Sequence, residues 1–228
     1  MRYGMNVNNT RLLKIIEKQL ESLFLVQDSD HDILSNSMEE VLEKCKKSFS
    51  YVNDKYYKSG NFNPYNSSQY ATFLYFLSNY IWNKYGDSDL CDRIFYLNKA
   101  LNCVDLFYQI DLPEVFYLEH PMGSILGRAK YGKFLSVSQG VTVGKNKMKT
   151  AVLGDFVTLF SQSMVIGECA IGNNVIISAG TIVKDAIIPD NCIVFGTSPN
   201  LIIKEKTKDE IYNIIKDRWD FNYVFSME

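Results

Sequence analysis

Apolar positions along the 228-residue chain follow two different periods, and the change falls near the middle. In the first half the spacing is helical. Leu12, Leu13, Ile15, Ile16, Leu20 and Leu23 recur three and four apart, with Asn9 or Thr10 placed to cap the first turn. A second helix is predicted from about Asp30 to Tyr51, carrying Ile33, Leu34, Met38, Val41, Leu42 and Cys45. The stretch SGNFNPYNSS (59–68) reads as a loop by composition. Ser67 or Ser68 then caps an aromatic-rich helix over about 68–85, and Gly86 suits its C-terminal end. A fourth helix is predicted from about Ser88 to Phe107.

Between Pro121 and Pro199 the helical signal gives way to a six-residue repeat. From Leu153 the chain reads LGDFVT, LFSQSM, VIGECA, IGNNVI, ISAGTI, VKDAII. The first position holds Leu153, Leu159, Val165, Ile171, Ile177 and Val183. The fifth holds Val157, Ser163, Cys169, Val175, Thr181 and Ile187, all small or medium in size. The second position holds Gly154 and Gly172. The same frame appears upstream from Ile125, Tyr131, Val137 and Val143. The step from Val143 to Leu153 is ten rather than six, so four extra residues bulge out there, within KNKMKTAV (145–152). A period of six is neither helical nor a simple strand alternation. It describes a coil that turns a corner every six residues, with short strands that pair in parallel between stacked coils. The chain after Lys204, KTKDEIYNIIKDRWDF, reads as a short amphipathic helix leaving the stack.

Composition narrows the function classes. Net charge is −2 and the positive charges are scattered, which is not the basic stripe of a nucleic-acid binder. No apolar run approaches the roughly 18 residues needed to cross a bilayer. The segment MRYGMNVNNTRLLK lacks the apolar centre of a signal peptide, so the expected location is cytoplasmic. Five dispersed cysteines form no CxxC and fit reduced thiols. Only two histidines are present, His31 and His120, and only His120 lies in the repeat half. His31, within DSDHD, reads as a solvated residue.

The hexads resemble those of the hexapeptide-repeat acyltransferases, and FYLEHPMGSILGRAKYGKFLSVSQGVTVG (116–144) resembles the opening coils of bacterial serine acetyltransferases. The matching residues are Glu119, His120, Gly123 and Thr142-Val143-Gly144. NPYNSSQYATFLYF (63–76) and FYQID (107–111) resemble the end of that family's helical domain, so the likeness covers about residues 60–205. It implies an α+β protein: a helical N-terminal domain (1–110), a left-handed parallel β-helix (111–204) and a short C-terminal helical tail (205–228). It further implies a homotrimer or a dimer of trimers, acetyl-CoA as co-substrate, a small-molecule acceptor, and no metal, nucleic acid or membrane span.

Acetyl transfer to a hydroxyl requires a base that takes the acceptor proton as the oxygen attacks the thioester, and imidazole suits that role. The resemblance puts His120 in it, with Asp111 as the carboxylate that orients the ring and Glu119 as an acceptor contact. The gap from Asp111 to His120 is shorter than the family's by about one hexad. SAGTIVKD (178–185) matches a coil where small side chains let pantetheine approach, which implies CoA contacts at Ala179 and Gly180. GTSPNLIIK (196–204) resembles the terminal CoA-phosphate motif. Asn200 replaces the usual base there, leaving Lys204 or Lys184 for the phosphates.

Two departures bear on the acceptor. The bulge at 145–152 lacks the Gly-rich run and the Arg-His pair expected for a serine carboxylate. Asn63-Pro64 stands where an Asp-Pro carboxylate would meet the serine ammonium. Those losses point to a neutral sugar hydroxyl, as in surface-polysaccharide synthesis. L-serine O-acetylation in cysteine synthesis and N-acetylation of an amino-sugar nucleotide remain the alternatives. A three-histidine zinc hydratase on the same fold is disfavoured by the single histidine of the repeat half.

Overall fold

The computed structural model describes residues 9–57, 62–86 and 88–226. Part of the predicted loop (59–61) and the first eight residues, read above for a leader, lie outside that range. Four helices come first: α1 (Asn9–Leu23), α2 (Asp30–Ser50), α3 (Ser67–Tyr85) and α4 (Ser88–Asn102). α3 packs between α2 and α4, and residues 68–78 of it are buried on every side. That all-round burial is why its apolar and aromatic residues are spread around the helix rather than confined to one stripe. Its cap is Asn66, not Ser67 or Ser68: the Asn66 side chain accepts from the Ser68 and Gln69 amides. Gly86 closes the helix at φ +67 as expected. α4 ends five residues before the predicted Phe107. Cys103 adopts φ +53, which turns the chain into a strand at Asp105–Leu106.

That strand opens a parallel β-solenoid of about five turns. Its pairing with Ile125–Leu126 sets in ahead of residue 111. The coil has three faces. The first stacks Asp105–Leu106, Ile125–Leu126, Thr142–Gly144, Met164–Ile166 and Ile182–Lys184. The second stacks Phe116–Leu118, Leu135–Val137, Thr158–Leu159, Val175–Ile177 and the start of Cys192–Thr197. The third stacks Lys130–Tyr131, Val152–Leu153, Ala170–Ile171 and Ile187–Ile188. Cys192–Thr197 then folds back against Asn200–Glu205 as an antiparallel hairpin that ends the stack.

The repeat explains this core. Every first-position residue from Leu153 to Val183 is buried, as are Val157, Ser163, Cys169, Val175 and Thr181 at the fifth. Met164 pairs with Ile182, one 18-residue turn on, whereas Thr142 pairs with Met164, 22 on, so the four-residue bulge is real. Two frame assignments are corrected. Ile125 faces outward and Leu126 inward. Ile187 is 81% exposed while Ile188 is buried, because the turn from Ala170 to Ile187 is one residue short. The second-position glycines are steric: a Cβ on Gly154 would lie 2.8 Å from the Gly172 carbonyl group of the next coil.

The tail does not leave the stack. α5 (Lys208–Ile215), started by a Thr207–Glu210 capping box, and α6 (Phe221–Ser226) fold back over the second face. Ile211, Ile215, Trp219 and Val224 are buried there. Outward-facing Tyr117, Ser136, Thr158 and Ile176 of that face are buried in turn.

Candidate functional site

The strand Phe116–Leu118 ends the helical layer and begins the site. Ser48 of α2 clips it, its hydroxyl donating to the Phe116 carbonyl and accepting from the Phe116 amide at 3.1 and 3.3 Å. Tyr75 and Phe76 of α3 pack edge-on against the Phe116 ring. Glu119 still follows the ladder, its amide donating to Val137 at 2.8 Å. His120 then turns out at φ +48. The left-handed region is uncommon for a side-chain-bearing residue, though histidine enters it more readily than most. The imidazole is exposed, and among the described residues no side chain hydrogen-bonds to it.

His120 lines a cavity of about 280 Å³ with Asp54, Tyr57, Tyr65, Ser67 and Tyr117. Asp54 belongs to the loop after α2, where one carboxylate oxygen accepts from the Tyr56 amide at 2.7 Å. Burial pushes the Tyr57 hydroxyl well up, with the charges of Tyr117 and Asp54 adding to the rise. Burial likewise pushes Tyr117 up; Glu119 and Asp54 raise it further and Arg218 opposes them. The charges of two carboxylates from different chain segments thus act on the same phenol.

The sequence-predicted residues are placed as follows. His120 and Glu119 adjoin one another, and Glu119 is ion-paired to Arg218 at 2.6 Å. Asp111 is exposed; its charge acts on Tyr75, and it is not among the residues lining the His120 cavity. The Asn63 side-chain oxygen accepts from the Tyr65 amide at 3.0 Å in a local turn, so the neighbouring Tyr65 and Asn66 face the cavity. Ala179 and Gly180 are exposed at a coil corner. Gly180 has φ +70 and open space where a Cβ would be, so small size there leaves the backbone approachable. Lys184 is exposed, its amide held by the Ser198 hydroxyl at 2.9 Å. Lys204 lies over the Phe195 ring at 5.2 Å. These four residues sit at the hairpin end of the stack, whereas His120 belongs to its opening turn.

The bulge folds back on the stack. Asn146 and Lys149 bridge it, Asn146 donates to Asp185 at 2.8 Å, and Lys149 pairs with Glu168 at 2.8 Å. Sequence reading missed Asp54, because an Asn-Asp-Lys turn after a helix is ordinary. It missed Arg218, because the tail looked merely amphipathic. The one available signal was an Arg-Trp pair late in a short polar segment.

No family model matches the chain. A curated relative, the serine acetyltransferase of Synechococcus elongatus, is 29% identical over 115 residues, 48% of this chain and 46% of the relative. The match therefore spans less than half of that protein's length. Among solved structures, the serine acetyltransferase of Neisseria gonorrhoeae superposes with a TM-score of 0.69 at 18% identity, over 87% of this chain and 80% of that one. That protein has also been solved with serine. The serine acetyltransferase of Brucella abortus strain S19 in complex with coenzyme A gives 0.67 at 16% identity, over 89% and 84%. The class so defined is a fold, a helical domain on a parallel β-solenoid, and it is the fold of those serine acetyltransferases. The proteins this chain resembles are acyltransferases.

Proposed function

We propose that this chain transfers an acetyl group from acetyl-CoA to the hydroxyl of a small acceptor, with L-serine ahead of a sugar. The observation that carries the reading is the shared cavity of His120 and Asp54. In the proposed step the His120 imidazole takes the hydroxyl proton as the oxygen attacks the thioester carbonyl. The new C–O bond forms, the C–S bond breaks, and the imidazolium returns its proton to the departing thiolate.

Two points favour serine over the sugar hydroxyl expected from the departures at Asn63 and in the bulge. Asp54 supplies the carboxylate for an acceptor ammonium that Asn63 does not provide. Start-of-helix residue Ser67 lies on the cavity wall, where the dipole of α3 favours an anionic group. Solved relatives hold coenzyme A and serine, and the open corner at Ala179 and Gly180 supports a pantetheine path with Lys184 or Lys204 near the phosphates. Asp111 stands outside the His120 cavity, so its proposed orienting role rests on the resemblance alone. Assembly as a homotrimer or a dimer of trimers belongs to the same proposal.

The test is thiol release from acetyl-CoA with L-serine, oligosaccharides and amino-sugar nucleotides as acceptors. Serine should turn over best, and His120→Ala should lower kcat by about 10²–10⁴. Asp54→Asn should raise KM for serine with little change for acetyl-CoA, whereas Asp111→Asn should act on kcat. Turnover with a neutral oligosaccharide but not serine overturns the acceptor; a fully active His120→Ala overturns the mechanism.

A further inference from the structure

The tail delivers a buried charge to the residue next to His120. Arg218, between α5 and α6, is 6% exposed. Its Nη1 donates to Ser136 Oγ at 2.7 Å and its Nη2 to Ser138 Oγ at 3.1 Å. Nη2 also meets Glu119 Oε2 at 2.6 Å, and Ser138 Oγ donates to the same carboxylate oxygen at 3.1 Å. The guanidinium lies 4.6 Å over the Phe160 ring. An apolar side chain would seal this face at lower desolvation cost, so a buried arginine here calls for a reason other than stability.

The same segment holds the loop that carries Asp54. The Asn53 amide donates to the Arg218 carbonyl at 3.0 Å, and the Asn53 side chain donates to the Lys216 carbonyl at 2.7 Å. Trp219 bridges Val52 and stands edge-on to Tyr117 and Phe134. One short run of chain, 216–220, therefore grips both walls of the cavity. The side chain of Arg218 takes the Glu119–His120 wall and its backbone takes the Asp54 wall.

We propose that Arg218 is a positioning residue for acetyl transfer, holding Glu119, and through it the left-handed turn at His120, in register with Asp54. The inference rests on the acetyltransferase reading above. It also assigns the two carboxylates different work: Glu119 is neutralised by its guanidinium partner, so Asp54 is the one left to meet a cationic group of the acceptor. With Arg218 removed, the Glu119 carboxylate swings toward water and the imidazole loses its fixed exit from the coil. A displacement near 1 Å at a reacting group costs about 10²-fold in rate.

The experiment compares wild type, Arg218→Gln, Arg218→Lys, Glu119→Gln and the Glu119→Gln/Arg218→Gln double variant, all in the full chain. Thiol release is followed with acetyl-CoA and L-serine, and thermal unfolding is run on each protein. Arg218→Gln should lose activity by about 10–10²-fold, mostly in kcat, with KM for acetyl-CoA unchanged. Arg218→Lys should recover part of that loss by restoring the charge. In the Glu119→Gln background Arg218→Gln should add little, since a residue acting through Glu119 has nothing left to hold. Losses that multiply in the double variant, no recovery with lysine, or an Arg218→Gln protein within twofold of wild type each overturn the inference. Should Arg218→Gln fail to fold, the lysine variant and its partner in the Glu119→Gln background read the same coupling. Wild type inert toward every acceptor sinks the acetyltransferase reading itself; active wild type with unaffected variants sinks this inference alone.

Discussion

Two segments break the hexad pattern, the lysine bulge at 145–152 and the tail after Lys204, and they carry charge in opposite ways. The bulge presents Lys149 to Glu168 with the two side chains 59% and 65% exposed. The tail presents Arg218 to Glu119 with the side chains 7% and 36% exposed. The Coulomb attraction of two charges at one distance grows several-fold as the effective dielectric falls from water to a protein boundary. An exposed pair is thus worth little, and one whose guanidinium is buried constrains where its neighbours can go. The richer cluster of lysines in the sequence is the weaker electrostatic device in the fold.

That contrast can be broken at its strongest point first. Trp219→Ala removes the buried anchor of the tail and should cost about 3–5 kcal/mol of stability, read by denaturant unfolding. An unfolding midpoint unchanged from wild type would mean the tail is not docked. Glu119→Gln should cost less, about 1–3 kcal/mol, since Arg218 loses its counter-charge but keeps Ser136, Ser138 and Phe160. Ser136→Ala, which deletes one of those acceptors, should cost about 1 kcal/mol, measured in the same way. On the other side, Lys149→Ala should move stability by no more than about 0.5 kcal/mol, and the small effect should vanish in high salt.

The smallest effect belongs to another exposed pair, His31 with Glu17 at 2.6 Å. The hydrogen bond to Glu17, then its charge, raises the His31 pKa above the ordinary value. A raised folded-state pKa contributes stability that is present below the unfolded value and lost as pH rises through the folded one. The melting difference between wild type and His31→Asn should therefore be largest near pH 5 and shrink by pH 8. A difference that grows with pH reverses the assignment.

The helices and the coil core were legible because their information is local. A stripe at Leu12, Leu13, Ile16 and Leu20, or an aliphatic residue every sixth position from Leu153 to Val183, states which way a side chain must point whatever lies beyond it. The misreadings fell where a neighbour outranked the local pattern. Ile187 is turned outward by one missing residue, Ser67 loses the capping role to Asn66, and α4 stops at Asn102 because Cys103 turns the chain into a strand. At the site, His120 and Glu119 stood out through a short motif. Asp54 and Arg218 carry no motif, and lie 66 and 98 residues from His120 in opposite directions along the chain.

The sequence alone determined that this protein would be a helical layer followed by a stack of six-residue sides, with His120 at the first corner. Hydrophobic periodicity and corner glycines encode that directly, since each coil repeats the last. Only the tertiary structure decided what stands around His120. The tail's return over the second face, the burial of Arg218 against Glu119 and the entry of Asp54 into the cavity all depend on contacts between distant segments. Such contacts follow from which surface covers which, and no spacing along the chain records that.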